Sequence, residues 1–125
     1  MGKSKGEVTK WRLLPTNQID KGKYTEIMKS LAAFMRSTEK TECELPPESI
    51  MLEGAIPIDE EYCNCVRTSW LKKVKKDDRM FYAETKSGSI YEFHPSHMDW
   101  LMVFTFGEIA QFGGIEIWYP NKVRF

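Results

Sequence analysis

Two cysteines, Cys63 and Cys65, stand two positions apart in "YCNCV", and two histidines, His94 and His97, stand three apart in "FHPSHMD". Thiolate and imidazole are ligands that zinc prefers, so these four side chains form a candidate metal set. The same residues, with Asp99 or Glu92 orienting a ring, could supply a thiol nucleophile and its imidazole base. Spacing argues against both. Zinc motifs hold their cysteines two to four residues apart in a turn, whereas CxC on a strand points both thiols one way, and no second CxxC accompanies it. No GxSxG and no phosphate loop occurs elsewhere. The plainer alternatives are a strand that carries two reduced cysteines into a core and a strand exit at "HPSH". There Pro95 restricts His94 to extended backbone, and Ser96 or Asp99 closes a local turn. The sequence therefore predicts no catalytic residue, no metal and no cofactor.

A different chemistry is suggested by the aromatic residues, which make up 13% of the chain. One helix and one sheet cannot easily enclose them all, and tryptophan and tyrosine are over-used where proteins bind. Trp70, Tyr82, Tyr91, Phe93 and Trp100 are the candidate binding residues, with Arg67 and Arg79 as cations for an anionic group. The leading expectation is a small, non-catalytic interaction protein, an inhibitor or accessory factor of a larger complex, that uses an aromatic sheet face or edge against a protein partner. Self-association as a homodimer fits the same surplus. The alternatives are a small-molecule or nucleotide-binding domain, and a small Cys/His enzyme or zinc domain.

The elements that must position these residues begin with a strand over "EVTKWRLL", ended by Pro15. In "KYTEIMKSLAAFMRS", Tyr24, Ile27, Met28, Leu31, Ala32, Phe34 and Met35 recur at helical spacing, with Asp20 as the cap. Such a stripe needs a surface to cover, and a sheet is the natural one. "TEKTECELPPES" reads as an acidic loop in which Pro46 and Pro47 exclude helix. "SIMLEGAIPI" reads as a strand that bulges or stops near Gly54 and Pro57, and "YCNCVRTSWLKKV" as the next strand. "RMFYAET" and "SIYEF" pair through a two-residue turn at Ser87-Gly88, a register that sets Tyr82 opposite Phe93 and Glu84 opposite Tyr91. "WLMVFTF" is the candidate central strand and "IEIWYP" a further one. The fold class that results is α+β: one amphipathic helix on a mostly antiparallel sheet of about six strands, a meander or half-open barrel. Residues 1–125 form one domain, with 1–6 expected to fray.

Charge narrows the partners. The 18 basic and 18 acidic residues cancel, so the overall basic excess typical of nucleic-acid binders is missing. The cancellation is uneven, with +5 over residues 1–40 and −6 over 41–71. In "KKVKKDDR" the four lysines read as a soluble hairpin tip neutralised by Asp77 and Asp78, not as a phosphate contact. The acidic "DEEY" lacks the spaced pattern of a calcium loop. Three cysteines, no apolar run of spanning length and no leader-like N-terminus predict a reducing, cytoplasmic setting away from membranes.

Overall fold

A computed structural model describes residues 4–77, 80–99 and 102. In chain order these form β1 (Ser4–Pro15), α1 (Lys21–Arg36), β2 (Glu42–Glu44), β3 (Ile50–Pro57), β4 (Cys63–Asp77), β5 (Met80–Thr85) and β6 (Ile90–Phe93), followed by a 3-10 turn over Pro95–His97. The expected α+β class is what the chain adopts, one helix against a six-stranded, mostly antiparallel sheet. The order β2-β4-β3-β1-β6-β5, with β5 returning to β4, closes five of the strands into a ring. Every pairing in that ring is antiparallel except β1 with β6, where the first and last described strands run side by side. Closure removes the free edges that an open meander would leave along the ring.

β4 makes this possible because it is long enough to serve two neighbours in turn. Its first half pairs with β3 and its second half with β5, and the register slips once on each side, at Met51/Glu53 and Leu71/Lys73. Such bulges bend a strand and increase its twist. At the first slip the buried Thr68 hydroxyl accepts from Leu52 N at 3.0 Å and donates to Ser69 O at 2.7 Å, so Leu52 N is satisfied despite the break. β1 is bulged as well, between Thr9 and Arg12, with Lys10 at φ 51°. Gly54 lies under that bulge. A Cβ there would sit 2.4 Å from Val8 Cγ1 and 2.7 Å from Thr9 O, so only glycine lets β1 lie this close on β3.

The helix follows its sequence signals. Asp20 caps it, with Oδ1 accepting from Lys23 N at 2.8 Å, and Ile27, Met28, Leu31, Ala32 and Phe34 are buried. They join one cluster with Val8, Trp11, Leu13, Leu52, Leu71, Val74, Phe81 and Phe93 from the strands. Burying each large apolar side chain contributes about 1.5–3 kcal/mol relative to leaving it exposed. Trp11 and Phe93 meet edge to face at 4.8 Å, and Phe81 stacks on Phe93 at 5.5 Å. Trp11 is fully buried yet satisfied, because its Nε1 donates to His94 O at 2.6 Å.

Several local expectations are corrected. The β5–β6 turn has three residues, not two. Gly88 N donates to Thr85 O at 2.9 Å, Gly88 itself takes φ 91°, and the Thr85 hydroxyl accepts from Ser89 N. A type I turn followed by a left-handed residue is the usual three-residue hairpin solution. The extra residue shifts the register by one, so Phe93 faces Phe81, Tyr91 faces Ala83 and Tyr82 faces Glu92. Tyr82 therefore lies on the opposite sheet face from Tyr91 and Phe93. Within the acidic loop, Glu42–Glu44 form a short strand against β4. The lysines of "KKVKKDDR" lie along β4 before its end, and Lys73 pairs with Glu42 at 3.4 Å and Lys72 with Glu84 at 3.7 Å. Of residues 1–6, expected to fray, 1–3 fall outside the described residues, and 4–6 begin β1, with Ser4 opposite Ile90 and a break in register before Glu7. The strands expected over "WLMVFTF" and "IEIWYP" fall outside the described residues, apart from Met102, which is buried.

Candidate functional site

The β3–β4 hairpin stands out from the ring. From Pro57 to Cys65 every residue is exposed, including Cys63, Asn64 and Cys65 in succession, so both faces of this ribbon are in solvent. Its register is regular from Gly54 opposite Val66 to Pro57 opposite Cys63. At its tip Ile58 N donates to Tyr62 O at 2.9 Å, and the Asp59 carboxylate accepts from Glu61 N at 2.8 Å and Tyr62 N at 2.9 Å. An aspartate that ties down the two amides after it makes a preformed turn. Ile58 is 60% exposed and Tyr62 65%, and these are the exposed large hydrophobic residues among those described. Asp59, Glu60 and Glu61 run between them, so the tip is an apolar pair around three carboxylates.

Where the hairpin joins the ring, a groove of about 380 Å³ is lined by Lys10, Arg12, Glu53, Cys65, Arg67 and Asp99. Glu53 is its hub. Arg67 donates to it from Nε at 2.8 Å and from Nη2 at 2.5 Å, and Arg12 reaches its other carboxylate oxygen. The hydrogen bonds from Arg67 hold the Glu53 carboxyl below the usual carboxylate range; burial opposes this and the Arg12 charge assists it. Lys10, held at φ 51° in the β1 bulge, is exposed beside this groove, and Gly54 beneath the bulge lets β1 lie directly on β3.

The predicted site residues disperse over this frame. Phe93 is buried in the core and Tyr91 packs against it. Trp70, half-buried, stands opposite Met51 on β4, and Tyr82 is half-buried on β5. Arg67 is exposed and committed to Glu53. Trp100 and Arg79 fall outside the described residues. The aromatic set thus does not gather on one sheet face: Tyr82 is separated from Tyr91 and Phe93 by the register shift.

The cysteines and histidines do not assemble either. His94 exits β6 in extended conformation, its Nδ1 accepting from Ser96 N at 3.0 Å, which is the strand exit that Pro95 foretold. His97 Nδ1 lies 2.6 Å from a Glu7 carboxylate oxygen, at the start of β1. Cys63 and Cys65 are exposed on the hairpin, contrary to the expectation that a strand would carry them into a core. Among the described residues no group of three or more His, Cys, Asp or Glu is arranged to hold a metal ion. Ile58, Tyr62, Lys10, Arg12 and Glu53 were missed from sequence. The signal for Ile58 and Tyr62 is an apolar residue and a tyrosine bracketing a carboxylate run between two strand patterns, whereas Lys10, Arg12 and Glu53 come together only through the β1–β3 pairing. Comparisons with protein-family models, with curated proteins and with solved structures return no match.

Proposed function

We propose that the protein is a non-catalytic interaction module that docks a protein partner through the tip of the β3–β4 hairpin. The observation that carries this reading is the pairing of Ile58 and Tyr62, 60% and 65% exposed, on a turn already locked by Asp59. Exposed apolar anchors that are held rigid bind with little ordering cost, and tyrosine is enriched at the energetic centre of interfaces. The partner's chemistry follows from the flanking charge. Asp59, Glu60 and Glu61 call for an apolar socket rimmed by lysine or arginine, which also steers encounter and makes the association salt-sensitive. Ile58 and Tyr62 are the anchors, and the three carboxylates set orientation. The aromatic sheet face is not part of this reading, since Phe93 is spent on the core. A pocket built on Arg67 is less favoured, because that guanidinium already carries Glu53.

A photo-crosslinking amino acid placed at position 62, and at the exposed hairpin residue Lys86 as control, tests this in cells. A discrete protein adduct is expected at 62 only, lost with Ile58→Asp and weakened by Glu60→Lys/Glu61→Lys. Equal adduct patterns at both positions, or adducts indifferent to Ile58→Asp, overturn the proposal.

A further inference from the structure

We infer that Cys63 and Cys65 form a two-coordinate site for a soft monovalent metal ion, cuprous copper, on the outer face of the β3–β4 hairpin. Regular pairing carries the geometry. The register is unbroken from Gly54–Val66 through Ala55–Cys65 and Ile56–Asn64 to Pro57–Cys63, so Cys63 and Cys65 share one face and Asn64 takes the other. Both thiols are free and exposed. Directly opposite them in the β3–β4 register are Ala55 and Pro57, neither long enough to cover a sulfur.

Distance decides between the fates open to such a pair. Two antiparallel strand rises of about 3.4 Å set the Cα atoms about 6.8 Å apart, at the upper limit of what a disulfide bridges without moving backbone. A metal ion between the sulfurs adds two metal–sulfur bonds to the span and relieves that constraint. Zinc is unsuited, because it takes four ligands and no third His, Cys, Asp or Glu joins the pair among the described residues. Thiolates select cuprous copper, which two sulfurs in line can satisfy. Loading is a ligand exchange without electron transfer: two thiols bind one Cu⁺, two S–Cu bonds form and two protons leave to solvent. The resulting bis-thiolate complex bears one negative charge. Cys65 lines the groove that also holds Lys10, Arg12 and Arg67, three cations against Glu53 and Asp99, so net positive charge stands on the Cys65 side of the anion, while the carboxylates of Asp59, Glu60 and Glu61 lie beyond Cys63 at the tip.

The test is an anaerobic titration of the reduced protein with Cu⁺, in competition with a chromophoric cuprous chelator, and mass spectrometry of the product under native conditions. One Cu⁺ per monomer is expected, with apparent affinity falling more than about 100-fold in Cys63→Ser and in Cys65→Ser. Cys43→Ser should bind like the parent, because that thiol is half-buried on β2 and burial pushes it up from its usual range. Tyr62→Ala should also bind like the parent, which separates this site from the proposed docking tip. Circular dichroism confirms that each exposed serine variant is folded. Failure of the parent to compete, retention of binding in either serine variant, or one Cu⁺ shared between two chains overturns the inference.

Discussion

The Lys76 ammonium donates to the main-chain carbonyl of Phe34 at 3.0 Å while standing 5.0 Å above the centre of the same residue's ring. It also reaches the carbonyl of Ser37, so a lysine from β4 caps the C-terminal end of α1. Helix ends leave carbonyls without partners, and a cation there complements the helix dipole. Asp20 does the same work at the other end with the opposite sign.

Replacing Lys76 by methionine, which keeps the apolar stem and removes the charge, should cost about 1–2 kcal/mol in urea unfolding. Lys72→Met serves as the reference, since its ion pair with Glu84 is exposed and should count for less than about 0.5 kcal/mol. Equal losses in the two variants would mean that the cap contributes nothing. Burial depresses the Lys76 ammonium from its usual range, so the folded protein gives up this proton at a lower pH than the unfolded chain, and across that window its titration makes stability rise with pH.

Gly54→Ala should destabilise by more than about 2 kcal/mol, because the new methyl group meets both a side chain and a backbone oxygen. Val8→Ala in the same chain removes the 2.4 Å clash but leaves Thr9 O at 2.7 Å, so rescue should be partial. Gly88→Ala, where nothing lies near the added Cβ, should cost only the roughly 1–2 kcal/mol of a positive φ. Thermal unfolding of the four proteins ranks them.

Tyr24 donates its hydroxyl to Leu13 O at 2.6 Å, and burial pushes its pKa up to about 12. A raised folded-state pKa means that its contribution is whole below pH 10, the unfolded value. It is lost as pH rises through about 12. Spectrophotometric titration should show one late-ionising phenol in the folded protein that Tyr24→Phe removes. Tyr24→Phe should also flatten the loss of stability between pH 10 and pH 12. A titration unchanged by that substitution would place the late phenol elsewhere.

Glu53 behaves in the opposite sense. Its folded-state pKa is depressed, so its contribution is present above the ordinary carboxylate range and disappears as pH falls through the lowered value. Arg67 is largely exposed, so the stabilisation should stay under about 1 kcal/mol and shrink with salt. Carboxyl NMR should show the Glu53 midpoint moving up toward the ordinary range in Arg67→Gln. A midpoint that stays put would transfer the effect to Arg12.

Local signals carried much of the fold. The Tyr24-to-Met35 stripe placed the helix, Asp20 its start, and Pro15 the end of β1, because capping, helical periodicity and the missing proline amide act within a few residues. The exit of His94 before Pro95 was legible for the same reason. The β5–β6 register was not. Whether Lys86-Ser87-Gly88 closes as two residues or three depends on the Thr85 hydroxyl reaching Ser89, and one residue reverses which face every side chain occupies.

By itself, then, the sequence determined the class of the fold, the helix and most strand positions, since those rest on patterns of neighbouring residues. Only the tertiary structure decided what is inside and what is available. Closure of the ring through β1 alongside β6 puts Phe93 against Trp11 in the core, a contact across 82 positions that no local pattern encodes. The same closure has no room for the tip of the β3–β4 hairpin. Ile58, Tyr62, Cys63 and Cys65, apolar enough to have been core, are left in solvent because the strands that would cover them pair elsewhere.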